Sequence, residues 1–117
     1  MIAEKAHELG RLIGQSDDYK ALKRAREGLD EARELKPKLD RLQQIAEAAE
    51  RQAADGNEPG KADAEEYDRL LGEIQSNSQY QQLVAAQSNF DKLMLRVQER
   101  IMEGMRKGGE SSIITLD

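Results

Sequence analysis

Apolar residues recur along this chain at spacings of three and four, and the polar residues between them interrupt the stripes at only a few points. Ile2, Ala6, Leu9 and Ile13 follow a 4-3-4 spacing that places them on one helical face, so a first helix is expected over 2–14. The stretch "GQSDDY" follows. Ser16 is a candidate N-cap there, with Asp17 and Asp18 in the first turn of the next helix, where negative charge suits the helix dipole. Tyr19, Leu22, Ala25, Leu29 and Ala32 carry the second stripe. Pro37 cannot donate an intrahelical bond and disfavours helix at Lys36, which predicts a break at 35–37 with Pro37 opening a third helix over 37–55. Leu39, Leu42, Ile45, Ala49 and Ala53 line that helix.

The second half has its own punctuation. "DGNEPG" at 55–60 is the strongest loop signal in the chain. Asp63, with Glu66 three residues later, is the expected cap of a fourth helix whose apolar face is Tyr67, Leu70, Leu71 and Ile74. A fifth helix is expected from 76–78. Ser76 and Ser78 compete as caps, because each has a Gln three positions on. Tyr80, Leu83, Ala86, Phe90, Leu93, Val97, Ile101 and Met105 form its stripe, which gives a length of about 40 Å over 78–105. "RKGGESS" is expected to end it. The closing "IITLD" belongs to no predicted helix, so the division is a single helical domain over 1–107 and a flexible tail over 108–117.

The two halves align at an offset of 61. Leu9, Ile13, Tyr19, Leu22 and Ala25 fall on Leu70, Ile74, Tyr80, Leu83 and Ala86, and Ser16 falls on Asn77. Any two capped helix joints with similar stripes align when the offset is free. The sharper alternative is a repeated helix-break-helix unit packing about an approximate twofold axis. Under either reading the fold class is all-α, an antiparallel bundle of about five helices with short arms and long helices.

Composition limits what such a fold does. Of 117 residues, 35% are charged and 38% hydrophobic, and 14 of the hydrophobic ones are Ala. Aromatic content is one Phe, three Tyr and no Trp, so the core is thin. Narrow stripes on long helices complete their burial against another subunit. A homodimer or higher oligomer is therefore expected, built on helices one, two and five through Ile2, Leu9, Ile13, Tyr19, Leu22, Phe90, Met94, Val97 and Ile101. No apolar run is long enough to span a bilayer, and the start of the chain has no signal-peptide pattern. The absence of cysteine fits a reducing cytoplasm and removes thiolate chemistry.

Sites of chemistry are sparse. His7, the one histidine, has only scattered acids around it, which is a weak metal pattern; a surface position accounts for it. No serine has a base partner in sequence, and the acid pairs Asp17/Asp18 and Glu65/Glu66 sit where helix dipoles place acids. The glycines match neither a dinucleotide fingerprint nor a phosphate loop. Neither an enzyme nor a cofactor or metal site is expected.

The basic cluster "KALKRAR" at 20–26 sets Lys20, Lys23 and Arg24 on one face, with Arg26 pointing elsewhere. A solvated helix face is the plain explanation. A docking surface for an acidic partner is the functional one, and RNA contact by the basic 20–41 face is the alternative, against a net charge of −5. Met94, Met102 and Met105 on the last helix fit core packing or an adaptable interface. The apolar "IITL" is either a plain chain end or a segment that docks on a partner.

The run Ala6, Leu9, Ile13, Ser16, Tyr19 and Ala25 resembles the opening of the YlbF/YmcA family of bacterial competence and sporulation regulators. The likeness continues through Gly56 in the mid-chain loop and Asn77, Leu83, Ala86, Leu93, Val97 and Ile101, covering roughly 2–105. It implies a small, all-helical, cytoplasmic, non-enzymatic adaptor that oligomerises. Such an adaptor acts on competence, sporulation and biofilm formation by binding regulatory protein partners that influence RNA processing. Some members hold iron–sulfur clusters through cysteines near the C-terminus; with no cysteine here, that property does not carry over.

Overall fold

The computed structural model describes the backbone of residues 1–116 and the side chains of residues 1–110. Five helices follow in order: α1 (Ile2–Gly14), α2 (Asp17–Glu31), α3 (Leu35–Ala54), α4 (Lys61–Gln75) and α5 (Ser78–Leu116), with no strand among the described residues. The all-α class and the helix count agree with the apolar periodicity.

Two antiparallel pairs organise the chain. α2 lies along α5: Tyr19 meets Phe90, with ring centroids 5.9 Å apart, and Arg26 meets Gln87, so numbering rises on one helix as it falls on the other. α3 and α4 form the second pair around the 55–60 loop, where Lys38 meets Glu73 and Arg41 meets Glu66. Gly56 makes the turn after α3 with a φ of 79°, a left-handed conformation that a Cβ would strain. Short joints link α1 to α2 and α4 to α5.

The core is small. Leu22, Leu35, Ile45, Leu70, Ile74 and Ala86 are the buried apolar residues, and α1 contributes none of them. The body measures 70 × 37 × 20 Å, with a radius of gyration of 21.7 Å. A compact domain of this length has about 13 Å. The helices are drawn out rather than closed into one globule.

Four expected boundaries move. The break expected at 35–37 falls at 32–34, and Pro37 becomes the third residue of α3. N–H groups of a first turn have no intrahelical acceptor, so proline's missing donor is not felt there. Starting the helix early also buries Leu35 to 2% exposure, which offsets the steric cost at Lys36. α4 begins after Gly60, not after Asp63, which lies inside the first turn with its carboxylate toward Arg41. Neither Ser76 nor Ser78 caps α5; Asn77 does, accepting from Gln79 N at 2.9 Å and Tyr80 N at 3.1 Å. Finally, α5 does not stop at "RKGGESS" but runs to Leu116. A glycine terminates a helix by taking a positive φ. Among the described residues only Gly56 does so, and Gly108 and Gly109 stay within the helix. The docking role expected for "IITL" rests on side chains outside the described residues.

Candidate interaction surfaces

The joints fix where each surface points. At the first, Ser16 N donates to Ile13 O at 3.0 Å, Lys20 N to Ser16 O at 3.1 Å, and Tyr19 N to Ser16 Oγ at 3.2 Å. At the second, Asn77 N donates to Ile74 O at 3.1 Å, Gln81 N to Asn77 O at 3.0 Å, and Tyr80 N to Asn77 Oδ1 at 3.1 Å. These three bonds map from one joint onto the other at an offset of 61, and Asn77 accepts a further bond from Gln79 N. The residues that close the preceding helices match as well, Gln15 at φ −89°, ψ −6° and Ser76 at φ −84°, ψ −7°. The sequence repeat is therefore a repeat of geometry: a polar side chain that would interrupt the apolar stripe of a continuous helix instead caps the next one.

The joint at Ser16 sets the rotation of α2. Leu22 turns inward, and Lys20, Lys23 and Arg24 are exposed and make no ion pair among the described residues. Arg26 turns toward α5 and donates to Gln87 Oε1 at 3.3 Å. The basic 20–41 segment is not one continuous face. It is cut by the break at 32–34, and two of its distal cations are engaged by α4: Lys38 Nζ lies 3.3 Å from Glu73 Oε2, while Arg41 donates to both oxygens of Glu66 at 2.7 and 3.0 Å. Asp63, one turn before Glu66, lies 4.0 Å from the same guanidinium. The hydrogen bonds from Arg41 hold the Glu66 carboxyl below the ordinary carboxylate range, and the same bonds raise the Arg41 guanidinium above its own. Sequence reasoning missed this cluster. Its signal was the spacing of Asp63, Glu66 and Glu73 on one face of α4 against Lys38 and Arg41, three apart, on α3.

The residues expected at an oligomer interface fall into two groups. Leu22 is buried, and Tyr19 and Phe90 pack on each other within the chain, so these serve the α2/α5 pair. Ile2 is 87% exposed, Ile101 is 48% exposed, and Leu9, Ile13, Met94 and Val97 are half-buried. Leu9, Val97 and Ile101 line an open groove of about 470 Å³ between α1 and α5, with Arg96 and Arg100 at its rim. A smaller cavity of about 220 Å³ lies under the 55–60 loop, between Ile45, Ala49, Pro59 and Tyr67. His7 is exposed on α1, and no three potential metal-ligating side chains converge among the described residues. No helix among the described residues is long and apolar enough to cross a membrane.

The family model described as control of competence regulator ComK, YlbF/YmcA, matches residues 2–106. The chain belongs to the YlbF/YmcA family. The match takes in α1 through α4, both capped joints and most of α5. The fold and the joint that carried the resemblance therefore belong to one family of regulators concerned with competence. No curated protein and no solved structure matches the chain.

Proposed function

We propose that this YlbF/YmcA chain is a non-enzymatic regulatory adaptor that acts in the cytoplasm, binds protein partners and works as a homo-oligomer. The observation that carries the reading is the outward face of α2. Lys20, Lys23 and Arg24 stand exposed in the first two turns after the Ser16 cap, on a helix packed along α5, while other cations of the same segment are tied to α4. A fixed patch of three free cations on a chain of net charge −5 suits an acidic protein surface. The residues left open on α1 and α5, with Ile2, Leu9, Ile13, Met94, Val97 and Ile101 foremost, support self-association.

RNA contact is the second reading for the same three cations. Tyr19, the aromatic next to them, is 40% exposed and tilted at 58° against Phe90, so a single ring borders the patch where a stacking platform uses several. The test is capture from the native host with the tagged chain and with the Lys20→Glu/Lys23→Glu/Arg24→Glu variant, followed by direct binding of the purified partner. The adaptor reading requires an acidic regulatory protein that binds the parent chain and is lost by the variant at unchanged helix content. Recovery of RNA with steep salt dependence, lost by the same variant, supports the second reading instead. Equal capture by both chains refutes the role of this face.

A further inference from the structure

The α3/α4 hairpin runs out of core before it reaches its loop. Ile45 on α3 and Leu70 on α4 are 5% and 7% exposed, and no residue between them in sequence is buried. Along the facing strips leucine and isoleucine give way to alanine, at Ala46 and Ala49 of α3 and at Ala64 of α4. Larger side chains further down the pair set the spacing of the two helices, and methyl groups do not fill it. The space left is the cavity of about 220 Å³ under the 55–60 loop. Ile45, Ala49, Ala64 and Tyr67 give it apolar walls, and Asp63 and Asp68 also line it.

The chain does not neutralise these two carboxylates. Asp68 is exposed and makes no ion pair among the described residues. Asp63 lies 4.0 Å from Arg41, whose guanidinium already donates to both oxygens of Glu66. The surroundings add to the field. Residues 47–68 hold eight of the 23 acids and two of the 18 cations, so the negative charge of the chain is concentrated at this end of the hairpin.

We propose that the cavity receives one apolar side chain from a basic segment of a partner protein, with the lysines or arginines of that segment against Asp63 and Asp68. Size limits the guest. An apolar cavity of about 150 Å³ holds a benzene-sized molecule, so this one has room for a single side chain and not for a helix. Charge selects its carrier. The acidic end repels nucleic acid and anionic lipid and favours a cationic protein segment. The basic face of α2 suits the opposite sign, so this site is separate from the one in the adaptor reading and stands or falls without it.

The experiment is fluorescence anisotropy of a labelled synthetic peptide, one leucine flanked by lysines, titrated with the full chain. A matched peptide with serine for the leucine carries the same charge. The parent chain is expected to bind the leucine peptide about tenfold more tightly than the serine peptide, the effect of burying one such side chain. Ala64→Phe, at an exposed position lining the cavity, fills the space and should abolish that preference. Asp68→Lys should weaken binding of the leucine peptide about tenfold, and Glu47→Lys, the same charge change outside the cavity, by less than about threefold. Helix content, read alongside, should not change in these variants. The unlabelled Asp68→Lys chain keeps the basic face of α2, and it should not displace the peptide from the parent. Displacement makes a second copy the occupant and overturns the proposal. Equal binding of the two peptides, or equal loss with Asp68→Lys and Glu47→Lys, reduces the site to a diffuse acidic field and also overturns it. The Lys20→Glu/Lys23→Glu/Arg24→Glu variant should bind the leucine peptide at least as tightly as the parent, which keeps this test distinct from that of the α2 face.

Discussion

The Arg26 guanidinium donates to Gln87 Oε1 at 3.3 Å, and the two residues stand 61 positions apart, the same offset that relates Ser16 to Asn77. Residues at equivalent positions of two related halves meet only near the axis that exchanges the halves. An approximate twofold axis therefore passes between α2 and α5 beside this pair. The axis exchanges α1 with α4, which is why the uncovered state of α1 stands out against the covered state of α4.

Two caps of the same design should be lost at similar cost. Asn77→Ala removes the acceptor of two backbone N–H groups and is expected to destabilise by about 1–2 kcal/mol. Ser16→Ala, which removes the acceptor of one, is expected to cost about 0.5–1 kcal/mol. Thermal unfolding followed by helix content measures both. Asn77→Ser should restore most of the loss, since serine is the cap used at the equivalent joint.

A thin core concentrates stability in few positions. Ile74→Ala is expected to cost about 2–5 kcal/mol, because a side chain 1% exposed leaves a cavity that the neighbours fill only in part. Leu12→Ala, at 52% exposure, should stay within about 0.5 kcal/mol. Chemical denaturation of the two variants at equal concentration separates them.

The Arg41–Glu66 pair makes the α3/α4 hairpin acid-sensitive. Glu66 is held below its ordinary range by the hydrogen bonds from Arg41, and by its charge. A carboxyl lowered in the folded state contributes fully above its unfolded value, about 4.3 for glutamate, and that contribution disappears as pH falls through the lower folded value. Glu66→Gln is therefore expected to lower the melting temperature at neutral pH but not at pH well below the folded value. Melting temperatures of both chains should converge on acidification and also on adding salt, because the pair is exposed to screening. A constant gap across pH would refute the assignment.

At the turn after α3, Gly56 has a φ of 79° and no atom within 4 Å of a Cβ built on it. The cost of Gly56→Ala is then conformational alone, about 1 kcal/mol, and Gly56→Asn should cost less because asparagine tolerates this region. Gly72→Ala, in the helical interior of α4 with equally open space, should do the opposite and stabilise by about 0.5–1 kcal/mol. Paired unfolding curves test the sign.

Much of the architecture was legible in local signals. The 4-3-4 stripe gave α1 its observed bounds, and the offset of 61 singled out Asn77 opposite Ser16 even though the local capping-box pattern favoured its serine neighbours. The rest depended on contacts that no local signal carries. Asp63 looked like a cap until Arg41 on another helix was seen to face it. Pro37 looked like a boundary until burial of Leu35 pulled the helix start forward. Gly108 and Gly109 read as a stop, but neither takes the positive φ with which a glycine ends a helix, and both continue α5. On the surface, the cluster of Lys20, Lys23 and Arg24 was readable because it lies on one helix. The split of the longer basic segment was not, because it depends on which carboxylates α4 brings across.

The central claim is that a chain with this little core is completed by a second copy of itself. Sedimentation equilibrium at tens of micromolar protein tests it most directly. The account predicts a mass of twice 13.2 kDa that falls toward 13.2 kDa on dilution. A single species of 13.2 kDa at every concentration, with full helix content and a cooperative melt, would contradict it.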